Sequence, residues 1–120
     1  METQYALVIG LIAAFYVYKV VGGQLKYKRL IKLIESDSAF TLIDVRTSGE
    51  YASGHIPGAR NIPYESVGDS LKKTAKDGEI VLYCQSGSRA RAAKATLAGK
   101  GYSNVWNFGG IGQWRGKLEK

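Results

Sequence analysis

The sequence predicts an α/β fold with a central, mostly parallel sheet, preceded by a single transmembrane helix. Two observations support this: an uncharged apolar run near the N-terminus, and short apolar stretches that alternate with helical patterns after it. The chain has 120 residues. Without the N-terminal run, about a hundred residues remain, which is enough for one modest hydrophobic core but not for two domains.

The run from Tyr5 to Val21 predicts the transmembrane helix. Its segment YALVIGLIAAFYVY carries no charged side chain. About 17 residues at ~1.5 Å per residue span ~26 Å, slightly less than the ~30 Å hydrocarbon core of a bilayer. Lys19 falls inside the run, but a lysine near a helix end can extend its ammonium group to the interface. We therefore expect a membrane partner through residues 5–21.

Two other interpretations of this run remain open. A cleavable signal peptide normally begins with basic residues and ends at small ones, whereas this chain begins Met-Glu-Thr-Gln and its run leads into Lys19. A buried core helix would have to be apolar on all faces within a very small domain.

Basic residues after an apolar run favour the cytoplasmic side for the domain beyond it. They are Lys19 near the end of the run, and Lys26, Lys28, Arg29 and Lys32 beyond it.

The expected organisation is an anchor with a short linker over residues 1–23 and a folded domain over 24–120. The linker is predicted near residues 21–24. Strands are predicted at four stretches, 40–45, 59–62, 79–84 and 105–108. Helices are predicted at 24–36, 48–52, 65–76 and 88–100, the first of them amphipathic. Strands that alternate with helices over short connections are typical of a parallel sheet.

Composition limits the possible partners. The formal net charge of +7 would suit a nucleic acid or a membrane surface. However, the chain has no arginine-rich tract and no zinc-finger spacing, so we expect no nucleic-acid partner. A single cysteine excludes an intramolecular disulfide and a paired-cysteine zinc cluster. With one histidine besides, we expect no metal site and no cofactor.

The candidate functional site is the segment CQSGSR, between the third predicted strand and the helix after it. Ligands of open α/β sheets bind beyond the carboxyl ends of the strands. A loop of small residues there can direct its backbone N–H groups at an anion. Such a loop, with Arg89, favours the thiolate of Cys84, which is the nucleophilic form. Gly87 supplies backbone freedom, and Ser86 and Ser88 can add hydroxyl donors.

An inert buried cysteine is the alternative, because a lone cysteine at the end of an apolar strand commonly packs in the core. The polar loop and the arginine five residues after Cys84 favour a reactive thiol. A structural cysteine has no use for donors gathered around it.

Three motifs resemble those of the rhodaneses, a family of sulfurtransferases. Cys84 to Arg89 matches the C-x-x-G-x-R active loop of that family, a weak signal if taken alone. The other two motifs resemble the family's N-terminal and C-terminal signatures. They are Leu42 to Arg46 with Glu50-Tyr51 and Gly54 to Pro63, and Gly109 to Ile111 with Trp114. The resemblance covers residues 25–117, with the motifs in the right order.

The resemblance implies a small rhodanese-like domain that transfers sulfur. Cys84 would attack the outer sulfur of thiosulfate or of another persulfide donor, hold that sulfur as a persulfide, and pass it to cyanide or a protein thiol. The backbone of Gln85, Ser86, Gly87, Ser88 and Arg89 would cradle the persulfide, and Arg89 would help hold the anionic donor. Because the chain has no second cysteine, the acceptor is expected to be an outside molecule.

Two other functions compete with sulfur transfer. Phosphatases and arsenate reductases on this fold have five residues between cysteine and arginine, which enclose a tetrahedral oxyanion. Here four residues intervene between Cys84 and Arg89, so the loop suits a single sulfur atom better. A non-catalytic binding or regulatory module at the membrane is the second rival. The presence of both Cys84 and Arg89 argues against it.

Several further residues could contribute to the site. We expect Asp44 and Arg46 to form structural hydrogen bonds and an ion pair, and His55 to make a structural hydrogen bond, with Glu50 as a candidate partner. The remaining candidates are polar or small residues near the loop and two tryptophans expected to pack. They are Arg91, Lys94, Gly109, Gly110, Trp106 and Trp114.

Overall fold

The structure is a computed structural model that describes residues 2–36 and 39–120. The chain divides into two compact units, one ending at Glu35 and the other running from Ser36 to Lys120. The family signatures all lie in the second unit.

The first unit is one continuous helix, α1 (Glu2–Glu35), of 34 residues. It is long and apolar enough to cross a membrane by length and composition, and its most apolar window is fully exposed. The linker predicted near residues 21–24 is helical instead, and so is the stretch predicted as a separate helix after it. Glycine can adopt helical angles at a cost of about 1 kcal/mol relative to alanine. Gly22 and Gly23 therefore weaken α1 without ending it.

The second unit contains a four-stranded sheet in which every strand pair is parallel. The strands are β1 (Thr41–Asp44), β2 (Arg60–Asn61), β3 (Ile80–Cys84) and β4 (Val105–Gly110). Their spatial order is β2-β1-β3-β4, so β1 and β3 form the centre. All five residues of β3 are buried, as its apolar sequence predicted. The parallel sheet confirms the fold class expected from the alternation of strands and helices.

The carboxyl ends of β1, β3 and β4 meet at one edge of the sheet. Asp44 lies opposite Tyr83, and Cys84 lies opposite Gly110. The pairing of β3 with β4 shifts register between Leu82 and Tyr83. This irregularity places the glycine pair of β4 beside the last two residues of β3.

In the described part of the second unit, three helices and one 3-10 turn connect and flank the strands. They are α2 (Ser48–Ser53), α3 (Val67–Ser70), α4 (Ser88–Gly99) and the 3-10 turn Ile111–Gln113. Buried apolar residues of β1, β3 and α4, among them Ile43, Leu82 and Ala90, share one cluster with Cys84. Burial of an aliphatic side chain stabilises the fold by about 1.5–3 kcal/mol relative to exposure. Cys84 is thus positioned at the edge of the main core.

The prediction of a helix over 65–76 is only partly right. The helix α3 ends at Ser70, and Leu71 leaves it with φ −113° and ψ 25°. The carbonyl of Leu71 accepts a hydrogen bond from the Tyr102 hydroxyl at 2.6 Å. Leu71 is buried, whereas Ala75, expected on the same helical face, is exposed. The same carbonyl also accepts from the Thr74 N–H at 2.9 Å, so a tight turn and a tertiary hydrogen bond take the place of the next α-helical turn.

The C-terminal residues pair with the segment after α2. The backbone N–H of His55 donates to the Glu119 carbonyl at 2.9 Å, and the N–H of Glu119 donates to the His55 carbonyl at 2.9 Å. This antiparallel bridge closes the second unit on itself.

Candidate active site

Cys84 is the last residue of β3, and α4 begins four residues later at Ser88. Gly87 is the N-cap residue of α4 and has φ +98°. That conformation is strained for residues with a Cβ atom but open to glycine, so Gly87 allows the loop to turn sharply into the helix. The sequence prediction of backbone freedom at this position is confirmed.

The sulfur of Cys84 accepts two main-chain hydrogen bonds. The Gly87 N–H reaches Sγ at 2.9 Å and the Ala90 N–H reaches it at 3.4 Å. As a glycine, the N-cap residue has no side chain to cap α4, and the first N–H groups of a helix have no intrahelical acceptor. The sulfur therefore occupies the place of an N-cap side chain. The positive end of the helix dipole and these N–H groups both favour negative charge there.

The sulfur lies deep within the site. Cys84 is 0% exposed, so it forms the floor of the loop and not its mouth. Gln85, Ser86 and Ser88 lie nearer the surface, and the hydroxyls of the two serines are 3.3 Å from each other. Among the described residues, the hydrogen bonds that reach the sulfur come from the main chain and not from these hydroxyls.

Asp44 and Arg46, at the end of β1, form the buried ion pair predicted from the sequence. Nη2 of Arg46 lies 2.6 Å from Oδ2 of Asp44, and its Nε contacts both carboxylate oxygens at 3.0 Å. Burial acts to lower the pKa of Arg46, but the hydrogen bonds and the charge of Asp44 outweigh it and raise that pKa. The same guanidinium donates to the Gln85 side-chain carbonyl at 3.2 Å and to the Gly54 carbonyl at 2.7 Å. It therefore links β1 to the start of the cysteine loop.

Arg89, at the other end of the loop, pairs with Glu50 of α2. Nη1 contacts Oε1 at 2.7 Å and Nη2 contacts Oε2 at 3.0 Å. The hydrogen bond to Arg89 lowers the pKa of Glu50 to about 2, with a further contribution from the Thr47 backbone N–H. The hydrogen bond to Glu50 likewise raises the pKa of Arg89. The arginine expected to face the donor is thus already engaged by a carboxylate.

The end of β4 supports the loop from the opposite side. Gly110 lies so close that a Cβ atom there would approach the Gln85 carbonyl oxygen to 2.5 Å. The side-chain amide of Asn107 donates to the Gly87 carbonyl at 3.2 Å, and its oxygen accepts from the Gly109 N–H at 2.8 Å. Gly109 and Gly110 therefore form part of the loop's packing surface, beyond providing a turn.

The structure gives structural contacts to three of the other candidates, and it places Arg91 on the exposed surface of α4 and leaves Lys94 half-buried. The Nδ1 atom of His55 lies 3.0 Å from the Tyr51 carbonyl, and its ring stacks on Tyr51 at 3.7 Å. The structural role expected for His55 is confirmed, but its expected partner Glu50 pairs with Arg89 instead. Trp106 donates to Asn104, and Trp114 donates to the Lys117 carbonyl.

Sequence reasoning missed two contributors to the site. Glu50 was considered as part of a family motif and as a partner for His55, but not as a partner for Arg89. Thr47-x-x-Glu50 is a capping-box pattern, which fixes a carboxylate at the start of a helix. The structure contains that box. Asn107 gave no local signal, because its bond to Gly87 joins residues 20 positions apart.

The fold and the site together define an α/β domain with a cysteine between a parallel strand and a helix N-terminus. The comparisons with known proteins identify its family. The family model described as "Rhodanese-like domain" matches residues 26–117. The chain belongs to this family of single-domain sulfurtransferases, as the three motifs predicted.

The chain is similar to several bacterial proteins. YqhL of Bacillus subtilis (strain 168), described as uncharacterized, is 32% identical over 120 residues, covering 94% of this chain and 94% of its own. A protein of Allochromatium vinosum named "Sulfurtransferase" is 40% identical over 74 residues, or 61% of this chain and 69% of its own. The thiosulfate sulfurtransferase GlpE of Pseudomonas entomophila is 36% identical over 75 residues, which is 62% of this chain and 69% of its own.

Solved structures agree with the fold. A rhodanese from E. coli, solved with anions, has a TM-score of 0.65 and 32% identity, covering 68% of this chain and 99% of its own. The human single-domain sulfurtransferase TSTD1 has a TM-score of 0.59 and 31% identity, and the match covers 62% of this chain and 80% of its own. Both similarities support the rhodanese fold.

Proposed function

We propose that this protein is a sulfurtransferase that carries sulfane sulfur on Cys84, without a cofactor. The observation that carries the proposal is the pair of main-chain N–H groups directed at Sγ, at 2.9 and 3.4 Å. Donors in this position stabilise a thiolate, and they would equally stabilise the terminal sulfur of a persulfide. The similarity to thiosulfate sulfurtransferases supports a thiosulfate-like donor.

The first half of the reaction loads the cysteine. The Cys84 thiolate attacks the outer sulfur of thiosulfate, a new S–S bond forms, and the original S–S bond breaks. Sulfite leaves with the electron pair of that bond, and the enzyme holds a persulfide anion. The backbone of Gln85, Ser86, Gly87, Ser88 and Arg89 is the proposed cradle. The donor must enter or displace the loop, because the sulfur is 0% exposed in the resting structure.

The second half releases the sulfur. A thiophilic acceptor, either cyanide or the thiolate of another molecule, attacks the outer sulfur of the persulfide. The Cys84 thiolate leaves with the electron pair and is ready for another cycle. Cys84 is the chain's single cysteine, so a thiol acceptor must come from outside the chain.

The decisive experiment measures sulfur uptake by the full chain in a mild detergent. After incubation with thiosulfate, intact-mass analysis should show one added sulfur atom on the wild type and none on Cys84→Ser. With cyanide present, only the wild type should produce thiocyanate. If the wild type gains no sulfur from thiosulfate or from a small organic persulfide, the rival function of a non-catalytic rhodanese-fold module is supported instead.

We also propose that α1 anchors the domain in a membrane through residues 5–21, with the domain on the cytoplasmic side. Its length, its composition and the full exposure of its apolar window support insertion. The alignment with YqhL covers 94% of this chain, so it extends into α1. The basic residues after Val21 favour the cytoplasmic side.

Alkaline carbonate separates an inserted chain from a peripheral one. The full-length protein should stay in the membrane fraction after extraction, and a protease added to intact cells should leave the domain uncut. Release by carbonate, or a processed chain lacking α1, would contradict the anchor and favour a peripheral protein or a cleaved signal.

A further inference from the structure

Two arginines beside the cysteine loop, Arg46 and Arg89, are neutralised by carboxylates of the β1–α2 region. Arg46 pairs with Asp44 at 2.6 Å, and Arg89 pairs with Glu50 at 2.7 Å. Each of these two cations is therefore matched by an anion. A doubly charged donor gains less attraction from such a site than from one with a free arginine.

Glu50 cannot easily turn away from Arg89, because its own helix holds it. Its Oε1 accepts from the Thr47 N–H and from the Thr47 hydroxyl, both at 3.1 Å. The Thr47 hydroxyl in turn accepts from the Glu50 N–H at 3.2 Å. This capping box fixes the carboxylate toward the loop. Both oxygens face Arg89, in the bidentate geometry that gives strong charge-assisted hydrogen bonds.

The Glu50 carboxylate remains charged at neutral pH, since the Arg89 hydrogen bond lowers its pKa to about 2. The pair is only partly exposed, with side-chain exposures of 28% for Arg89 and 32% for Glu50. Water screens it less than a fully exposed pair. The fixed negative charge is thus a lasting part of the site that an anionic donor meets.

We infer that Glu50 determines donor specificity, by reducing the advantage of doubly charged donors such as thiosulfate over singly charged sulfane-sulfur donors. The inference rests on the proposed function and adds to it a substrate class: thiosulfonates and organic persulfides that carry one negative charge at the reacting group. Arg89 then acts mainly through its pairing with Glu50 and holds the loop, while the main-chain N–H groups receive the sulfur.

A pair of donors of similar shape tests this inference. Thiosulfate carries two negative charges, whereas methanethiosulfonate replaces one oxygen by a methyl group and carries one. Cys84 would take the outer sulfur of either, with sulfite or methanesulfinate leaving with the electron pair. Because shape and chemistry are matched, the ratio of the two kcat/KM values reports mainly on donor charge.

Glu50→Gln removes the charge but preserves local structure, because glutamine also completes a capping box and can still accept a hydrogen bond from Arg89. We expect kcat/KM to rise about tenfold for thiosulfate and about threefold for methanethiosulfonate, because the Coulomb repulsion that is removed scales with the charge of the donor. The ratio should thus change about threefold. Most of the change should appear in KM.

Thr47→Ala is the matched control, since it removes the capping hydroxyl and leaves the Glu50 charge in place. In this variant, the ratio of the kcat/KM value for thiosulfate to that for methanethiosulfonate should stay close to the wild-type ratio. An equal change for both donors in Glu50→Gln, or a shift of the ratio in Thr47→Ala as large as in Glu50→Gln, would overturn the inference and make Glu50 a purely structural residue.

A measurement on the wild type keeps the inference testable if Glu50→Gln does not fold. When NaCl is raised from low to high concentration, the kcat/KM values for thiosulfate and for methanethiosulfonate should change by the same factor. A steep loss confined to thiosulfate would show that an unneutralised cation attracts it, and would contradict the inference. Failure of the proposed function gives a different result: the wild type would take sulfur from neither donor.

Discussion

The two sides of the cysteine loop are supported by unlike interactions. The charged support consists of Asp44, Arg46, Glu50 and Arg89, whose side chains reach the loop through ion pairs and hydrogen bonds. The glycine support consists of Asn107, Gly109 and Gly110, where main chain packs directly on main chain. Long side chains can shift to accommodate a change, whereas glycine main chain in contact cannot. The two supports should therefore respond differently to substitution.

The two ion pairs of the charged support also differ in burial. Asp44 is 0% exposed and Arg46 is 3% exposed, whereas Arg89 and Glu50 are 28% and 32% exposed. Removing one partner of a buried pair leaves an uncompensated charge in the core, but at the surface water takes over much of the solvation. The first pair thus maintains the fold, and the second is free to adjust the charge of the site.

The largest effect is expected from Asp44→Asn. The change leaves the buried Arg46 guanidinium without its counter-charge, so the free energy of unfolding should fall by about 3–5 kcal/mol. Urea unfolding of the full chain in mild detergent, followed by tryptophan fluorescence, measures the loss. Glu50→Gln makes the same chemical change at the exposed pair and should cost less than about 1 kcal/mol. Equal losses would contradict the assigned difference between the pairs.

Gly110→Ala should have the next largest effect, and it should appear in activity. The added Cβ would lie 2.5 Å from the Gln85 carbonyl oxygen and 3.3 Å from the Ser86 Cα atom. The loop must move away, and a displacement of about 1 Å at a reacting centre can cost ~100-fold in rate. Sulfur loading of Cys84 by thiosulfate measures the effect.

Gly112→Ala is the matched control for this glycine. A Cβ at Gly112 would meet nothing within 4 Å. Activity in this variant should stay near the wild-type level. If Gly110→Ala were equally active, the close packing of β4 on the loop would have no bearing on sulfur transfer.

Asn107→Ala should produce a smaller loss. It removes the donor to the Gly87 carbonyl and the acceptor for the Gly109 N–H. A hydrogen bond contributes about 1 kcal/mol net, so its loss should lower the population of the native loop conformation roughly fivefold. The rate of sulfur loading should fall by about the same factor. Asn104→Ala is a useful comparison, because Asn104 bonds Trp106 and not the loop. A comparable loss in both variants would indicate general destabilisation.

The smallest effect concerns the pH dependence of the Glu50–Arg89 pair. The hydrogen bond to Arg89 lowers the pKa of Glu50 from its ordinary 4.5 to about 2 in the folded chain. The stabilisation from this shift is therefore fully present above about pH 4.5 and is lost as the pH falls toward 2. For a partly exposed pair we expect about 0.5 kcal/mol.

Urea unfolding of the wild type and Glu50→Gln at several pH values measures this contribution. Glutamine does not titrate, so the wild-type advantage should shrink between about pH 4.5 and pH 2 and stay constant above that range. An advantage that does not depend on pH would mean that the carboxylate charge contributes nothing to the pair.

Patterns local in the sequence predicted most of the fold. The apolar run of β3 and the small-residue loop after it predicted a buried strand that ends in a cysteine. The helix expected over 65–76 ends early, at a point where the Leu71 carbonyl accepts hydrogen bonds from the Thr74 N–H and from Tyr102, 31 positions away. The linker near residues 21–24 was wrong because two glycines within a long helical segment weaken a helix without breaking it. Long-range contacts and weak propensities caused these errors.

The site was predicted less completely than the fold. Cys84, Gly87 and Arg89 lie within six consecutive residues, so their spacing identified them. The pairing of Arg89 with Glu50 joins residues 39 positions apart, and the contact of Gly110 with Gln85 joins two strand ends. Such contacts depend on strand order and register. Neither could be read from the spacing of the residues involved.

The Sγ atom of Cys84 takes the place of an N-cap side chain for α4, and this affects how an inactive variant should be chosen. A serine at position 84 keeps an oxygen that can accept from the Gly87 and Ala90 N–H groups, whereas an alanine leaves both without an acceptor. The Cys84→Ala variant would therefore lose the nucleophile and would also have a less stable first turn of α4. A missing cap costs about 1 kcal/mol of stability. Trapping of acceptor proteins with a dead enzyme is thus better done with serine, whose surface should match that of the working protein.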